Sequence, residues 1–248
     1  MSDRLKRNFL TARGKENSGA TSLAEEYIFS DDESFAMPAD PGLAENNARA
    51  VTLEKNKLHN FLDVVIAIGN LLTDEHTDVD ALEHILAYAQ NLTNADAGTI
   101  YMVNEQTRQL EFRLVVNRSL HIAMNKPNRQ DSKLCTTPIA LFKPEDGQPV
   151  TQHVSCQTYH QNATILIHDA YYDKSYDFSG TKKFDELNNY RSKSFLTTPL
   201  RNRKKQVIGI FQLINAQDLK TNRLISFKKD HVKIVEALAA LASIALYK

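Results

Sequence analysis

The sequence predicts an α+β domain in which terminal helices cover one face of a central antiparallel sheet of about six strands. Two apolar runs, residues 195–200 and 207–215, flank the short polar loop 201–206. A connection this short cannot carry a parallel crossover, so the two strands form an antiparallel hairpin. The second run is apolar on both faces, although an antiparallel strand usually leaves one face to water. Helices can cover one face, and the polar, aromatic segment 169–190 is the natural lid over a ligand pocket on the other.

The other elements follow from apolar periodicity and turn residues. Asp78 is a plausible N-cap of a helix with one apolar face, and Asn94 and Gly98 mark the end of that helix. Residues 117–137 are polar and irregular, and we expect a mobile loop there. The remaining predicted elements are strands at 99–103, 110–116, 138–142 and 164–167, helices at 148–160 and 230–247, and a short helix before the hairpin.

A heptad-like stripe begins just after residue 50. Val51, Leu58, Val65 and Leu72 recur every seven residues and predict a helix of about 20 residues. This helix either buries its apolar face on the domain's own sheet or pairs with a second copy in a homodimer. The C-terminal helix offers a matching surface for the second arrangement.

Composition limits the class of protein. The 248 residues carry a formal net charge of zero, so neither nucleic acid nor an anionic membrane is an expected partner. The apolar runs are far shorter than the ~20 residues of a membrane span, and the first residues lack the apolar region expected of a signal peptide. Two cysteines do not make a disulfide framework, which predicts a cytoplasmic protein with reduced thiols. Residues 1–49 read as a disordered leader, and residues 50–248 as one domain.

Three stretches carry a resemblance to the GAF domain family. They are Ile-His-Asp-Ala-Tyr at 167–171, Phe-Asp at 184–185 with Tyr-Arg-Ser-Lys-Ser-Phe-Leu at 190–196, and the hairpin from 199 to 215. Within that family the chain is most similar to the GAF domains of cyclic-nucleotide phosphodiesterases and of regulators of bacterial adenylyl cyclases and HD-type phosphodiesterases. The resemblance implies a sensory module that binds a small ligand, often a cyclic nucleotide, and signals through its terminal helices.

The resemblance also implies a set of ligand-binding residues. The family's ligand-pocket motif is Phe-Asp-x-x-Thr-Gly-Tyr-Arg-Thr. Its aspartate corresponds to Asp185, and its last hydroxyl residue corresponds to Ser192. Asn188 and Asn189 replace the Thr-Gly pair, and asparagine tolerates the left-handed backbone that the glycine would adopt. Residues Val150 and Thr151 match the helix start at which the family points backbone N–H groups at a phosphate.

A second family signature is altered. In the family, a motif of Asn-Lys, a later Phe and then Asp-Glu provides a structural ion pair between its lysine and its aspartate. Asn215 and Phe227 are present, but Ala216 stands at the lysine position and His231-Val232 at the acidic positions. The ion pair therefore cannot form from these residues.

The sequence gives only weak evidence for catalytic or metal-binding residues. Cys135 and Cys156 raise the alternative of a GAF-type methionine sulfoxide reductase, but their spacing departs from that pattern. The histidines near Cys156 lack metal-binding spacing, and the basic run 201–205 reads as a solvated turn. We therefore expect a non-catalytic sensor without a metal or cofactor, which binds a small molecule, with a cyclic nucleotide as one candidate. A dimerisation scaffold with a degenerate pocket is the other alternative.

Overall fold

The computed structural model describes residues 59, 61–70, 78–125 and 137–246. The predicted leader 1–49, Val51, Leu58, Leu72 and Cys135 lie outside these residues. In chain order the described elements are α1 (61–70), α2 (Asp78–Thr93), β1 (Ala95–Asn104), β2 (Gln109–Asn117), β3 (Ile122–Asn125), β4 (Ile139–Ala140), α3 (Val154–Gln161), β5 (Ile165–Ile167), α4 (Ser179–Asn188), β6 (Phe195–Arg201), β7 (Val207–Gln217), β8 (Leu224–Ile225) and α5 (Lys229–Ala245).

The predicted antiparallel sheet is confirmed. Its strands follow the order β3-β2-β1-β7-β6-β5, while β4 pairs with β2 and β8 pairs with β7. The predicted hairpin is β6–β7, in which Thr198 lies opposite Phe211. The sheet gains two short strands, β3 and β8, beyond the six that were predicted. The expectation of an irregular loop over 117–137 was wrong at β3, which is a short edge strand that pairs with β2.

One face of the sheet carries the helices. Ile100 of β1 and Phe211 and Leu213 of β7 point to this face, where they pack against α2 and α5. Gly98 lies in β1 rather than at the end of α2, so its predicted role was wrong. A Cβ at Gly98 would come within 2.5 Å of Leu86 Cδ1. A glycine fits this position because α2 packs closely on β1 there. Asn94 does end α2, with a left-handed φ of 51°.

The opposite face of the sheet is also covered, as the apolar pattern of β7 predicted. Successive residues of a strand point to opposite faces. Ile210 therefore joins a second core cluster with Tyr101 and Cys156, on the far side from Phe211. Ile214 packs against a third cluster that includes Phe178 of the predicted lid. The segment 169–190 thus covers this face together with α3.

Helix α3 starts later than predicted. It begins at Val154, not near residue 148, because the preceding segment pairs with another part of the chain. Phe142 and Pro149 form an antiparallel bridge, and the Val150 N–H donates to the Leu141 carbonyl at 3.0 Å. That pairing holds residues 149–150 extended, which excludes them from the helix.

Helix α1 buries one side on the domain's own core. Ile68 is fully buried among residues of α2 and α5, and Val64 packs against the same cluster. Leu62 and Ile66, also four residues apart, remain 48% and 61% exposed. For residues 61–70 the domain-packing arrangement is therefore shown, and an apolar pair is left on another side of the helix. Among the described helices, none is long and apolar enough to cross a membrane.

Candidate functional site

A cavity of about 540 Å³ lies between the sheet and its lid. Its size is within the ~300–1,000 Å³ range of small-molecule sites. The floor is the sheet face opposite the helices, where alternate residues of β1 and β7 line the cavity: Ala97, Thr99, Tyr101, Gln212 and Ile214. Because side chains alternate along a strand, the intervening residues Ile100 and Leu213 belong to the helix-side core.

The roof of the cavity comes from the start of α3 and from α4. His153, Val154 and Ser155 line it at the beginning of α3. Helix α4 and its N-cap add Phe178, Gly180, Thr181 and Phe184, while Pro138–Ala140 close one side. The predicted lid residues therefore do enclose a cavity, and the first turn of α3 borders it.

Asp185 is placed beside the cavity but does not line it. Its side chain is 2% exposed and accepts three hydrogen bonds. The Ser192 N–H donates to Oδ2 at 2.7 Å, the Ser192 hydroxyl donates to Oδ1 at 2.8 Å, and the Tyr171 hydroxyl donates to Oδ2 at 2.8 Å. The carboxylate therefore ties α4 to the lid segment at Tyr171 and to the residues that lead into β6.

The other residues of the predicted pocket motif lie either at the cavity or at the end of α4. Ser192 lines the cavity, although its hydroxyl already donates to Asp185. Asn188, the last residue of α4, donates from Nδ2 to the Phe184 carbonyl at 2.9 Å. Asn189 adopts a φ of 48°, which confirms the predicted left-handed residue at the glycine position.

Val150 and Thr151 do not take the predicted position at a helix start. The Val150 N–H is already bonded to Leu141, and its side chain is buried in the second core cluster. Thr151 is exposed and lies three residues before α3 begins. Val154 and Ser155, the first two residues of α3, line the cavity instead.

With this geometry in place, the chain can be compared with known proteins. The sequence profile of the GAF domain family matches residues 79–246. This chain belongs to the GAF domain family. It is 23% identical over 235 residues to a dual 3',5'-cyclic-AMP and -GMP phosphodiesterase 11 of Drosophila melanogaster, covering 94% of this chain but only 14% of that protein.

Solved structures share the fold of this GAF domain. A GAF domain from a phosphoenolpyruvate-protein phosphotransferase of Coxiella burnetii is 12% identical, with a TM-score of 0.54 over 76% of this chain and 94% of that chain. The free methionine-R-sulfoxide reductase of Neisseria meningitidis is 15% identical, with a TM-score of 0.52 over 75% of this chain and 88% of that chain. At such identities the likeness concerns the fold alone.

The main residue that sequence reasoning missed is Asp96. Its buried carboxylate accepts a hydrogen bond from the Tyr190 hydroxyl at 2.6 Å and one from the Ser119 hydroxyl at 2.7 Å. Burial and this bond to Asp96 raise the pKa of Tyr190 far above its ordinary value, so the phenol stays protonated. Tyr190 lines the cavity, and Asn215 Nδ2 donates to its oxygen at 2.9 Å. The sequence feature that could have identified Asp96 is the position of this aspartate between Ala95 and Ala97 in an otherwise apolar strand.

The altered second signature has a structural counterpart. Asn215 adopts a φ of 61°, and its Oδ1 accepts the Lys193 N–H at 2.6 Å, so its side chain holds β7 against the residues that lead into β6. Ala216, at the lysine position, is fully buried in the helix-side core. His231, at the aspartate position, packs edge-on against Phe227 with ring centroids 6.0 Å apart. The described contacts at these positions are apolar burial for Ala216 and, for His231, the Phe227 ring and a hydrogen bond in which its Nδ1 accepts the Lys228 N–H at 3.4 Å.

Cys156 has the environment of a structural thiol. It is fully buried, and burial raises its pKa to about 12. Its Sγ lies 3.5 Å from the Ala140 carbonyl, to which the thiol donates. A nucleophilic cysteine needs a lowered pKa and access to substrate, and Cys156 has neither. In the part of the chain that the structure describes, no cluster of His, Cys, Asp and Glu could hold a metal ion.

Proposed function

We propose that this GAF domain is a non-catalytic sensor that binds a small molecule in the cavity between its sheet and lid. The observation that carries this proposal is the volume of about 540 Å³ left open among the lining side chains. A degenerate pocket in a pure scaffold would be filled by bulky apolar groups. The buried, high-pKa thiol of Cys156 argues against its use as the nucleophile of a sulfoxide reductase.

The proposed signal passes through the sheet. Gln212 and Ile214 line the cavity, whereas Phe211 and Leu213 of the same strand pack against the helices α2 and α5. A ligand that contacts Phe184 and Tyr190 favours the arrangement in which α4 is closed over the cavity. This differential contact shifts the population of helix arrangements on the other face.

Cyclic nucleotides are the first ligands to test. The similarity to a phosphodiesterase of cyclic AMP and cyclic GMP supports this choice. The N–H groups in the first turn of α3, at Val154 and Ser155, supply donors beside the cavity for a phosphate. The replacement of the family's ion pair by Ala216 and His231 makes the choice among nucleotides an experimental question.

A homodimer is part of the proposal. The exposed pair Leu62 and Ile66 on α1 is a surface on which a second copy can pack. The free thiol of Cys156 agrees with a cytoplasmic, reducing location for such a dimer. The partner copy or an output domain receives the signal from the terminal helices.

A cavity-filling variant tests the proposal directly. Ala97→Leu adds three carbons at the cavity floor, while Ala123→Leu makes the same change at an exposed position of the same sheet. Purified proteins are melted with cyclic AMP, cyclic GMP and cyclic dinucleotides. A ligand at ~100 times its dissociation constant adds ~2.7 kcal/mol to the free energy of unfolding.

The expected result is a melting shift in the parent and in Ala123→Leu that is lost in Ala97→Leu. A shift that survives in Ala97→Leu would place the ligand elsewhere and overturn the proposal. If no cyclic nucleotide gives a shift, the same variants are used with the neutral compounds described next.

A further inference from the structure

Three pairs of aromatic rings surround the cavity. Tyr101 and Phe112 have ring centroids 4.7 Å apart, Phe178 and Phe195 5.4 Å, and Phe184 and Tyr190 6.3 Å. All six side chains line the cavity, on the sheet and on both ends of α4. Aromatic side chains stack on flat π systems, and each stacked ring contributes about 1–3 kcal/mol in nucleic-acid-binding proteins. The walls therefore favour a planar ligand over a flexible aliphatic one.

One polar row crosses this aromatic floor. Gln212 pairs in register with Thr99 on one neighbouring strand and with Thr197 on the other. Its Nε2 donates to Thr197 Oγ1 at 3.0 Å, and its Oε1 accepts from the Tyr101 hydroxyl at a long 3.5 Å. A carboxamide has two donor hydrogens and two acceptor sites. Gln212, which lines the cavity, therefore keeps one donor and one acceptor site for a ligand.

The described side chains that line the cavity offer an anion no permanent positive charge. Among the described residues that line it, none is lysine or arginine. Asp177 does line it, and the hydrogen bond from the Ser179 N–H lowers the pKa of its carboxyl, so the carboxylate stays charged. An anionic group near Asp177 would meet like charge.

We propose that this domain recognises a planar heteroaromatic ring through an adjacent donor and acceptor pair on its edge, which bonds to Gln212, and that it does not require a phosphate. The proposal rests on the ligand-binding function proposed above and specifies the part of the ligand that is recognised. Lactam and amidine edges of fused nitrogen heterocycles have this donor and acceptor pair.

Matched ligands test the proposal by isothermal titration calorimetry. Adenosine is compared with cyclic AMP, guanosine with cyclic GMP, and quinoline, a planar ring with an acceptor but no donor on its edge, with the aliphatic cyclohexanecarboxamide. We expect the dissociation constant of each nucleoside to lie within about threefold of that of its cyclic phosphate. Such a difference is smaller than a tenfold change, which corresponds to ~1.4 kcal/mol. The aliphatic amide should bind at least about tenfold more weakly than the nucleosides.

Gln212→Leu removes the donor and acceptor while keeping a side chain of similar size, and Gln148→Leu is the matched control at an exposed position. We expect Gln212→Leu to weaken nucleoside binding at least about tenfold and to leave binding of quinoline, which lacks this donor and acceptor pair, unchanged. Thr99→Val perturbs the same row more mildly and serves if Gln212→Leu fails to fold.

The outcomes separate the two proposals. A cyclic phosphate that binds more than tenfold tighter than its nucleoside, or an unchanged affinity in Gln212→Leu, overturns this inference and leaves the sensor proposal standing. Binding of aliphatic but not heteroaromatic compounds does the same. If no compound of any class binds, both proposals are overturned.

Discussion

Ser192 donates two hydrogen bonds to Asp185, from its backbone N–H at 2.7 Å and from its hydroxyl at 2.8 Å. Both donor groups belong to Ser192, which lies seven residues after Asp185 in the chain. The Tyr171 hydroxyl donates a third hydrogen bond to the same carboxylate. The aspartate that the family resemblance assigns to ligand binding is therefore used to hold α4, which roofs the cavity, against the start of β6. We therefore expect Asp185 to influence ligand binding through the position of the lid.

Replacing Asp185 with alanine should destabilise the fold itself. The substitution leaves the Ser192 N–H without its partner in a buried site, and we expect a loss of about 2–4 kcal/mol in the free energy of unfolding. Urea denaturation measures the loss, with Glu186→Ala as the control because Glu186 is the exposed neighbour. An Asp185→Ala protein as stable as the parent, but unable to bind ligand, would instead support a direct ligand contact.

The features that the sequence predicted are those that depend on local pattern. Apolar residues on both faces of β7 predicted two covered faces, and the structure buries Phe211 on one and Ile210 on the other. The Asn-Asn pair at 188–189 predicted a left-handed residue, and Asn189 adopts it. These properties depend on side-chain alternation and on backbone conformation, which neighbouring residues determine.

The features that the sequence did not predict depend on distant partners. The Tyr190–Asp96 bond joins residues 94 positions apart, and although the apolar strand around Asp96 marks the aspartate as unusual, nothing near it in the chain identifies Tyr190 as its partner. Helix α3 starts at Val154 because Val150 pairs with Leu141 across a turn. Whether Asp185 faces a ligand or its own chain likewise depends on Tyr171, whose position is set by the tertiary fold.

Adding a methyl group at Gly209 should damage the sheet. A Cβ there would overlap the backbone oxygen of Tyr101 on the paired strand β1, and backbone cannot move aside cheaply. We expect Gly209→Ala to lower the free energy of unfolding by about 2 kcal/mol or more. Gly69 in α1 has open space around it, so Gly69→Ala should stabilise by about 0.5–1 kcal/mol through helix propensity. Equal effects of the two substitutions in urea denaturation would contradict this assignment.

The buried thiol of Cys156 should make stability depend on alkaline pH. Burial raises its pKa in the folded protein from 9.0 to about 12. The unfolded chain therefore releases this proton first, and the stabilisation that is present below pH 9.0 is lost as the pH rises towards 12. Urea denaturation at about pH 8 and about pH 10.5 should show a smaller loss in Cys156→Ala than in the parent. Tyr101 and Tyr190 titrate in both proteins, so an identical loss would show that the thiol does not contribute.

The exposed pair on α1 provides the test of the proposed dimer. Leu62 and Ile66 lie one helical turn apart, on a different side of α1 from Ile68, which is buried in the domain's own core. Burying them between two copies would remove apolar surface from water, and a carboxylate in that position would oppose association. We expect Ile66→Glu to raise the dimer dissociation constant at least about tenfold without changing the melting temperature of the monomer. Light scattering coupled to size exclusion measures the oligomeric state, and Leu219→Glu, at an 81% exposed position outside α1, is the control. A parent protein that is monomeric at about 100 μM, or a Leu219→Glu variant that dissociates equally, would reject α1 as the dimer surface.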